Sequence, residues 1–379
     1  MVVKGLCISD IHFGLPCTER IYQELSQLKD FINNNELDVI HINGDYFDRK
    51  LVFCEPASII AMQFFYEIRE LCIKKKIKLR IIHGTEGHER MQTEMFRTLK
   101  SKYLDMKIFN TVTEEELFPG FKVLYIPEEY PVDSEEYYRE YKNKEYQALM
   151  GHGMWDFAAA AQSVIDEADR KDTKTAPVFK YSEWEKTIPH GMAIFGHIHL
   201  RMVHKKKVFY PGSFTAWDFT DISKKGFAYY TYNTEKGVYN VRLIDNNQVP
   251  IFKTQSILNL GLDLNNCEID EIQRAIEPLA ENADYFRLDV SGLPLDKLEI
   301  VKRMFKDDRK ITVKIIDKKR PIINQSDKDR YMRYEYLLRE KLPIDETILK
   351  FIQEDLSDKP GAKDITLEMV SNIIKEESN

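Results

Sequence analysis

Residues 37–48 read LDVIHINGDYFD. The run from Leu37 to Asn43 is apolar and β-branched, short enough for a strand, and it stops at Gly44-Asp45. The same grammar repeats on either side. Val2 to Ser9 is a short apolar run that stops at Asp10, and Lys78 to His83 is another that stops at Gly84. Between these runs, residues 19–34 and 56–75 carry apolar side chains at helical spacing. Strand, helix, strand, helix, strand is the signature of an α/β sheet.

Farther along, the pattern becomes strand-rich. Strands are predicted at 121–126, 146–151, 192–196, 207–210, 226–232 and 238–244, and residues 157–188 hold a helix and a long connection. From about residue 269 a helix (269–281), a strand (285–291), a helix (295–305) and a strand (311–317) make a compact α/β unit. A charged, tyrosine-rich helix follows at 328–342, then two short amphipathic helices near 345–356 and 365–376. The expected domains are 1–262 as a core, 263–322 as a small α/β cap, and 323–379 as a linker helix with a C-terminal helical pair.

The strand ends carry the chemistry. The runs stop in Asp10-Ile11-His12, Gly44-Asp45, Gly84-Thr85-Glu86-Gly87-His88-Glu89, Gly151-His152 and Gly196-His197-Ile198-His199. In open α/β sheets the loops after the strands' carboxyl ends gather at one edge. His and Asp are good ligands for cations such as zinc, manganese and iron. Strand alternation is expected to aim Asp10 with His12, and His197 with His199, in common directions. Six such ligands exceed what one tetrahedral site needs, and two cations sharing a carboxylate use them naturally, with Asp45 as the bridge. Singly, an HxH or a Gly-Asp is ordinary strand-edge or turn chemistry. Together, in this order, they are hard to explain that way.

This series resembles the calcineurin-like metallophosphoesterases, whose order is DxH, GD, GNH with an acid, a lone His, and GHxH. The likeness covers roughly residues 2–215. It implies a two-sheet sandwich flanked by helices. It gives one metal Asp10, His12, Asp45 and His199, and the other Asp45, His152 and His197. His88 takes the role of the catalytic His. The third motif departs from the pattern: it is two residues longer and has no Asn, so Thr85, Glu86 or a water could replace that ligand. Two cations about 3.5–4 Å apart clamp phosphate oxygens and acidify a bridging water, whose hydroxide attacks phosphorus in line.

Within the superfamily, GDYFD (44–48) and the Pro211-Gly212-Ser213 turn are similar to the nuclease subunits of SbcCD-type DNA repair and recombination complexes. That resemblance implies a DNA exo- or endonuclease using manganese, a homodimer, and an SbcC-type ATPase docked on residues 345–376. The departures point to a divergent member, such as one from a phage. The alternatives are a phosphodiesterase or phosphatase acting on a nucleotide or other small molecule, and a catalytically weakened scaffold that binds an ATPase or DNA.

Composition bounds these readings. The formal net charge of −7 argues against a grip on DNA through overall charge. Five irregularly spaced cysteines without a CxxC pair fit a reduced compartment. The first residues are too short in apolar length for a signal peptide, and no stretch is long enough for a membrane span, so a cytoplasmic protein is expected. His41, His83, His190 and His204 are read as structural or surface residues, and Arg49-Lys50 and Lys205-Lys206-Lys207 as solvated charge.

Overall fold

A computed structural model describes residues 1–158, 178–219, 221, 223–264, 266–291, 293, 295–306, 310–314, 366 and 369–370. Its strands are β1 (Val2–Ile8), β2 (Val39–Asn43), β3 (Lys78–Ile82), β4 (Met106–Phe109), β5 (Thr113–Phe118), β6 (Phe121–Ile126), β7 (Ala148–His152), β8 (Met154–Trp155), β9 (Val178–Phe179), β10 (Met192–Gly196), β11 (Met202–His204), β12 (Val208–Tyr210), β13 (Gly226–Asn233) and β14 (Val238–Asp245). Two six-stranded sheets form, ordered β14-β13-β1-β2-β3-β4 and β11-β12-β10-β7-β6-β5. Strands β1 to β4 pair in parallel, as do β6, β7, β10 and β12, while β5, β11, β13 and β14 join their neighbours antiparallel.

Alternation along each strand builds the layers. Val3, Cys7, Val39 and Ile82 of the first sheet meet Val123, Met150, Met192 and Ile194 of the second. The opposite face of the first sheet, with Leu6, Ile8, Ile40 and Ile42, packs on α1 (Thr18–Glu24), α2 (Ser26–Asn34) and α3 (Pro56–Lys75). The outer face of the second sheet buries Leu124, Leu149, Ala193 and Phe195 against Trp155, Trp184 and Tyr138. The result is a mixed α/β sandwich of two sheets flanked by helices, as the sequence led one to expect.

The helix predicted over 19–34 is divided at Leu25 into α1 and α2. Strands β4, β5 and β11 have no counterpart in the sequence reading. β5 is the edge of its sheet, and its acidic run TEEELF suits an edge better than an interior. Its Glu115 takes both Nε and Nη2 of the buried Arg80 at 2.8 Å.

Internal contacts divide the chain into two units. The first comprises Met1–Gln255, Glu268–Leu288 and Val301–Val313; the second comprises Ser256–Cys267, Asp289–Ile300 and Lys314 onward. The predicted helix over 269–281 forms at Ile269–Glu281, on a capping box between Glu268 and Glu271, and buries Ile272, Ile276 and Ala280. The strands expected at 285–291 and 311–317 are found at Tyr285–Asp289 and Ile311–Lys314. They form a three-stranded sheet with Phe252–Ser256. The helix of 295–305 occupies Leu295–Met304. The predicted helices at 328–342 and 345–356 lie outside the described residues, as does that at 365–376 apart from 366, 369 and 370. No helix among the described residues is long and apolar enough to cross a membrane.

Candidate metal centre

The parallel strands of both sheets run their carboxyl ends to one edge, and the Asp and His residues singled out in the sequence meet there. Asp10, His12 and His199 form one group whose ligand-type atoms lie within 4.8 Å of one another; His152 and His197 form another with Glu128. Asp45 joins both sides. Its Oδ2 is 3.7 Å from His12 Nε2 and 3.2 Å from His152 Nε2. His12 Nε2 and His199 Nε2 face each other at 3.2 Å, and His199 Nε2 is 3.7 Å from Asp10 Oδ1.

The means of convergence differ from the sequence expectation. Strand alternation does not aim the pairs, because β1 ends at Ile8 and β10 at Gly196, before the side chains in question. Instead Asp10 (φ 52°), His12 (φ 57°), Asp45 (φ 50°) and His197 (φ 86°) all hold left-handed backbone, which non-glycine residues rarely adopt. The turns are pinned by backbone bonds: Ile11 N and His12 N both donate to Asp45 O, and Phe214 N donates to Asp10 O. Glycines permit the close approach. A Cβ on Gly44 would fall 2.3 Å from His152 Nδ1, and one on Gly84 would fall 2.2 Å from Asp45 N.

The third motif takes shape around its two extra residues. Glu86–Glu89 close one helical turn that presents His88. Buried Glu89 accepts from Tyr46 N at 2.6 Å and from Gly84 N at 2.7 Å, clamping this turn to the Gly44-Asp45 loop. His83 Nδ1 lies 3.1 Å from the same carboxylate. His88 stands at the mouth with its side chain 40% exposed, its Nδ1 2.6 Å from the carbonyl of Asp48. Asp48 Oδ1 is also 3.2 Å from His12 Nδ1, so one residue orients two histidines. Trp217 closes another side, its ring 4.9 Å from His12 and 4.8 Å from His199.

Of the candidates for the missing amide, Thr85 is buried at the site. Its N–H donates to Asp45 Oδ1 at 2.7 Å, and its Oγ1 is 3.4 Å from His152 Nε2. Glu86 is exposed. The sequence reading does not single out Glu128 or Trp217, and takes Asp48 and Glu89 only as parts of motifs. For Glu128 a signal was present: it follows the predicted strand 121–126 by one proline, and each of the other strand stops that carries chemistry holds an Asp, a Glu or a His. His41 is buried with Nε2 2.8 Å from Tyr230 Oη, His204 stacks on Phe157, and Arg49 pairs with Glu55 at 3.0 Å.

The electrostatics are those of a cation site. Burial alone pulls His152 and His197 downward, yet surrounding carboxylates outweigh it: Asp45 foremost raises His152, and Glu128 raises His197. Burial pushes Asp45 upward, and His152 and His12 hold it well below the usual carboxylate range. Burial and the neighbouring His12 drive His199 well below the ordinary imidazole value. Asp10 Oδ2 is buried without a hydrogen-bond partner. An orphaned carboxylate oxygen, opposed imidazole nitrogens and a shared carboxylate fit divalent cations, and the mixed O and N donors suit first-row transition metals.

A calcineurin-like phosphoesterase family model matches residues 4–201, and the chain belongs to that family, a superfamily of metal-dependent hydrolases that bind divalent metals. It is thus a metal-dependent phosphoesterase. No curated protein matches it. Among solved structures it is similar to GAP50, the anchor in the inner membrane complex of Plasmodium, at 12% identity over 65% of this chain and 85% of that one, with a TM-score of 0.39. TT1561 of Thermus thermophilus matches at 11% identity over 65% of this chain and 100% of that one, with a TM-score of 0.33. Pseudomonas putida nuclease MPE matches at 13% identity over 60% of this chain and 83% of that one, with a TM-score of 0.26.

Proposed function

We propose that this phosphoesterase is a phosphodiesterase that cleaves DNA, working as the nuclease subunit of an assembly of the SbcCD type. The observation that carries the reading is a buried floor of Asp10, Asp45 and His152 beneath two partly exposed histidines, His88 at 40% and His199 at 35%. A large ester can rest its phosphate on such a floor without threading an enclosed pocket. The GDYFD segment supports the same reading, because Asp48 fixes the candidate acid His88 as well as His12.

Divalent cations held by Asp10, His12, Asp45, His152, His197 and His199 would supply positive charge for the phosphate oxygens and acidify a water. The protein's own groups do the rest. Asp45 ties the two halves of the site together. His88 engages Asp48 O through Nδ1, which leaves Nε2 to carry a proton to the departing oxygen. Manganese is the metal we propose. The same reading assigns residues 345–376 to an SbcC-type ATPase and makes the chain a homodimer in the cytoplasm. The acidic net charge of −7 fits a subunit whose hold on DNA comes partly from its partner.

The test is manganese-dependent cleavage of single- and double-stranded DNA, measured beside a dinucleotide and a nucleotide monophosphate. DNA cut with the highest kcat/KM supports the nuclease reading. Turnover confined to the small esters would move the assignment to a small-molecule phosphodiesterase or phosphatase. No turnover of any ester, with metals bound, would leave a scaffold.

A further inference from the structure

Four protein donors surround the first half of the centre: Asp10, His12, Asp45 and His199. The sequence supplied only Asp45, His152 and His197 for the second half. We infer that Glu128 is the remaining ligand there, so that the second cation is held by two carboxylates and two imidazoles. This rests on the metal-centre reading above and specifies its composition.

The geometry points inward from every side. Glu128 Oε2 lies 3.0 Å from His197 Nδ1 and 3.6 Å from His152 Nε2, and the three groups form a single cluster of ligand-type atoms. His152 donates through Nδ1 to Asn43 O at 2.8 Å, which leaves Nε2 as its coordinating nitrogen on the side of Glu128. The Glu128 side chain is 1% exposed, so the carboxylate is removed from water and a basin of opposite charge must compensate it. The backbone holds it there, with Glu128 N donating to His83 O at 3.3 Å beside the third motif. Tyr130 Oη donates to Oε1, and Thr85 Oγ1 lies 3.1 Å from Oε2. These contacts fix the carboxylate as outer hydrogen bonds fix a metal ligand. The cluster is more than a group of acids. It shares His152 with the group of Asp10, Asp45 and His152, in which Asp10 Oδ2 is buried and unpartnered.

The consequence is electrostatic. With Glu128 the floor carries three carboxylates, Asp10, Asp45 and Glu128, against two dications. A neutral amide in its place would leave one more unit of positive charge. The carboxylate therefore grips the second cation more tightly and makes it a weaker electrophile. Thr85 serves as a hydrogen-bonding support for Glu128 rather than as the ligand.

The experiment counts metal rather than activity. The full chain is stripped, loaded with Mn²⁺, freed of excess and assayed for bound manganese by mass spectrometry, with affinity measured by calorimetry. Wild type is expected to hold about two equivalents, Glu128→Gln about one, and His88→Ala about two. Thr85→Asn combined with Glu128→Gln should regain the second equivalent, because an amide at 85 sits within reach of His152 Nε2. A purely orienting Glu128 would not be rescued in this way. Melting of the metal-free proteins reports folding. Should Glu128→Gln not fold, Glu128→Asp, which retracts the carboxylate by one methylene, is expected to weaken the second site at least ~10-fold. Two equivalents at wild-type affinity in a folded Glu128 variant would overturn the inference. Fewer than two in wild type would instead overturn the metal-centre reading beneath it.

Discussion

Four residues at the centre, Asp10, His12, Asp45 and His197, hold left-handed backbone without being glycine. Each such residue costs on the order of 1 kcal/mol, a cost the fold bears to aim ligands that regular strands would point elsewhere. His88, by contrast, is held by a single carbonyl. His88→Ala is expected to lower kcat by roughly 10²–10⁴-fold while bound metal is unchanged, measured on a diester under saturating Mn²⁺. Equal loss of metal and turnover would assign His88 to coordination instead. A different histidine is expected to contribute to acid sensitivity. Burial, then the charge of Arg80, lowers His41 to about 3 from its ordinary 6.5. The unfolded chain binds this proton more readily, so the stability it contributes is present above about pH 6.5 and is lost as the pH falls toward 3. His41→Gln, which can still bond to Tyr230, should remove part of that loss. The melting-temperature advantage of wild type should shrink by ~2 °C or more between pH 7 and pH 4.5. A constant difference across that range would rule His41 out.

At the level of elements, the site is a set of strand ends tied to one another, and Glu89 is one of the ties. It accepts from backbone N–H groups of two separate loops while fully buried. Glu89→Ala leaves both donors without their partner and is expected to cost ~3 kcal/mol in denaturant unfolding, with loss of metal affinity. A cost under about 0.5 kcal/mol would show that the loops hold without it. What the sequence made legible here follows from physics. Buried parallel strands read as apolar runs, so β1, β2, β3, β6, β7 and β10 stood out, and their stops marked the residues that meet. Edge strand β5 was hidden by its glutamates, which are tolerable only because solvent lies on one side and Arg80 on the other. The signal at Glu128 and Asp48 is faint for another reason. A lone acid after a strand is ordinary, and only the fold brings one beside His197 and the other between His12 and His88. Strand alternation does not account for the aim of Asp10 and His12, because the left-handed turns that set it leave no trace in side-chain periodicity.

Over the whole molecule, two sheets of different strand order deliver their carboxyl ends to the same edge, and neither alone completes the site. Asp10 and Asp45 come from the first sheet, His152 and His197 from the second. A cation that bridges them cross-links the sandwich, so metal should stabilise the fold. Saturating Mn²⁺ at about 100 times its dissociation constant is expected to add ~2.7 kcal/mol per site, read as a rise in melting temperature that chelator reverses. An unchanged melting curve would place any bound metal outside this junction.

The most direct test of the account is hydrolysis of bis(p-nitrophenyl) phosphate and of DNA by wild type and Asp45→Ala, with Mn²⁺ and after chelation. Asp45 is the group shared by both halves of the centre. The expected result is turnover in wild type that is lost on chelation, returns with manganese, and falls to background in Asp45→Ala together with bound metal. Chelator-resistant turnover, or an Asp45→Ala protein that cleaves as wild type does, would contradict it.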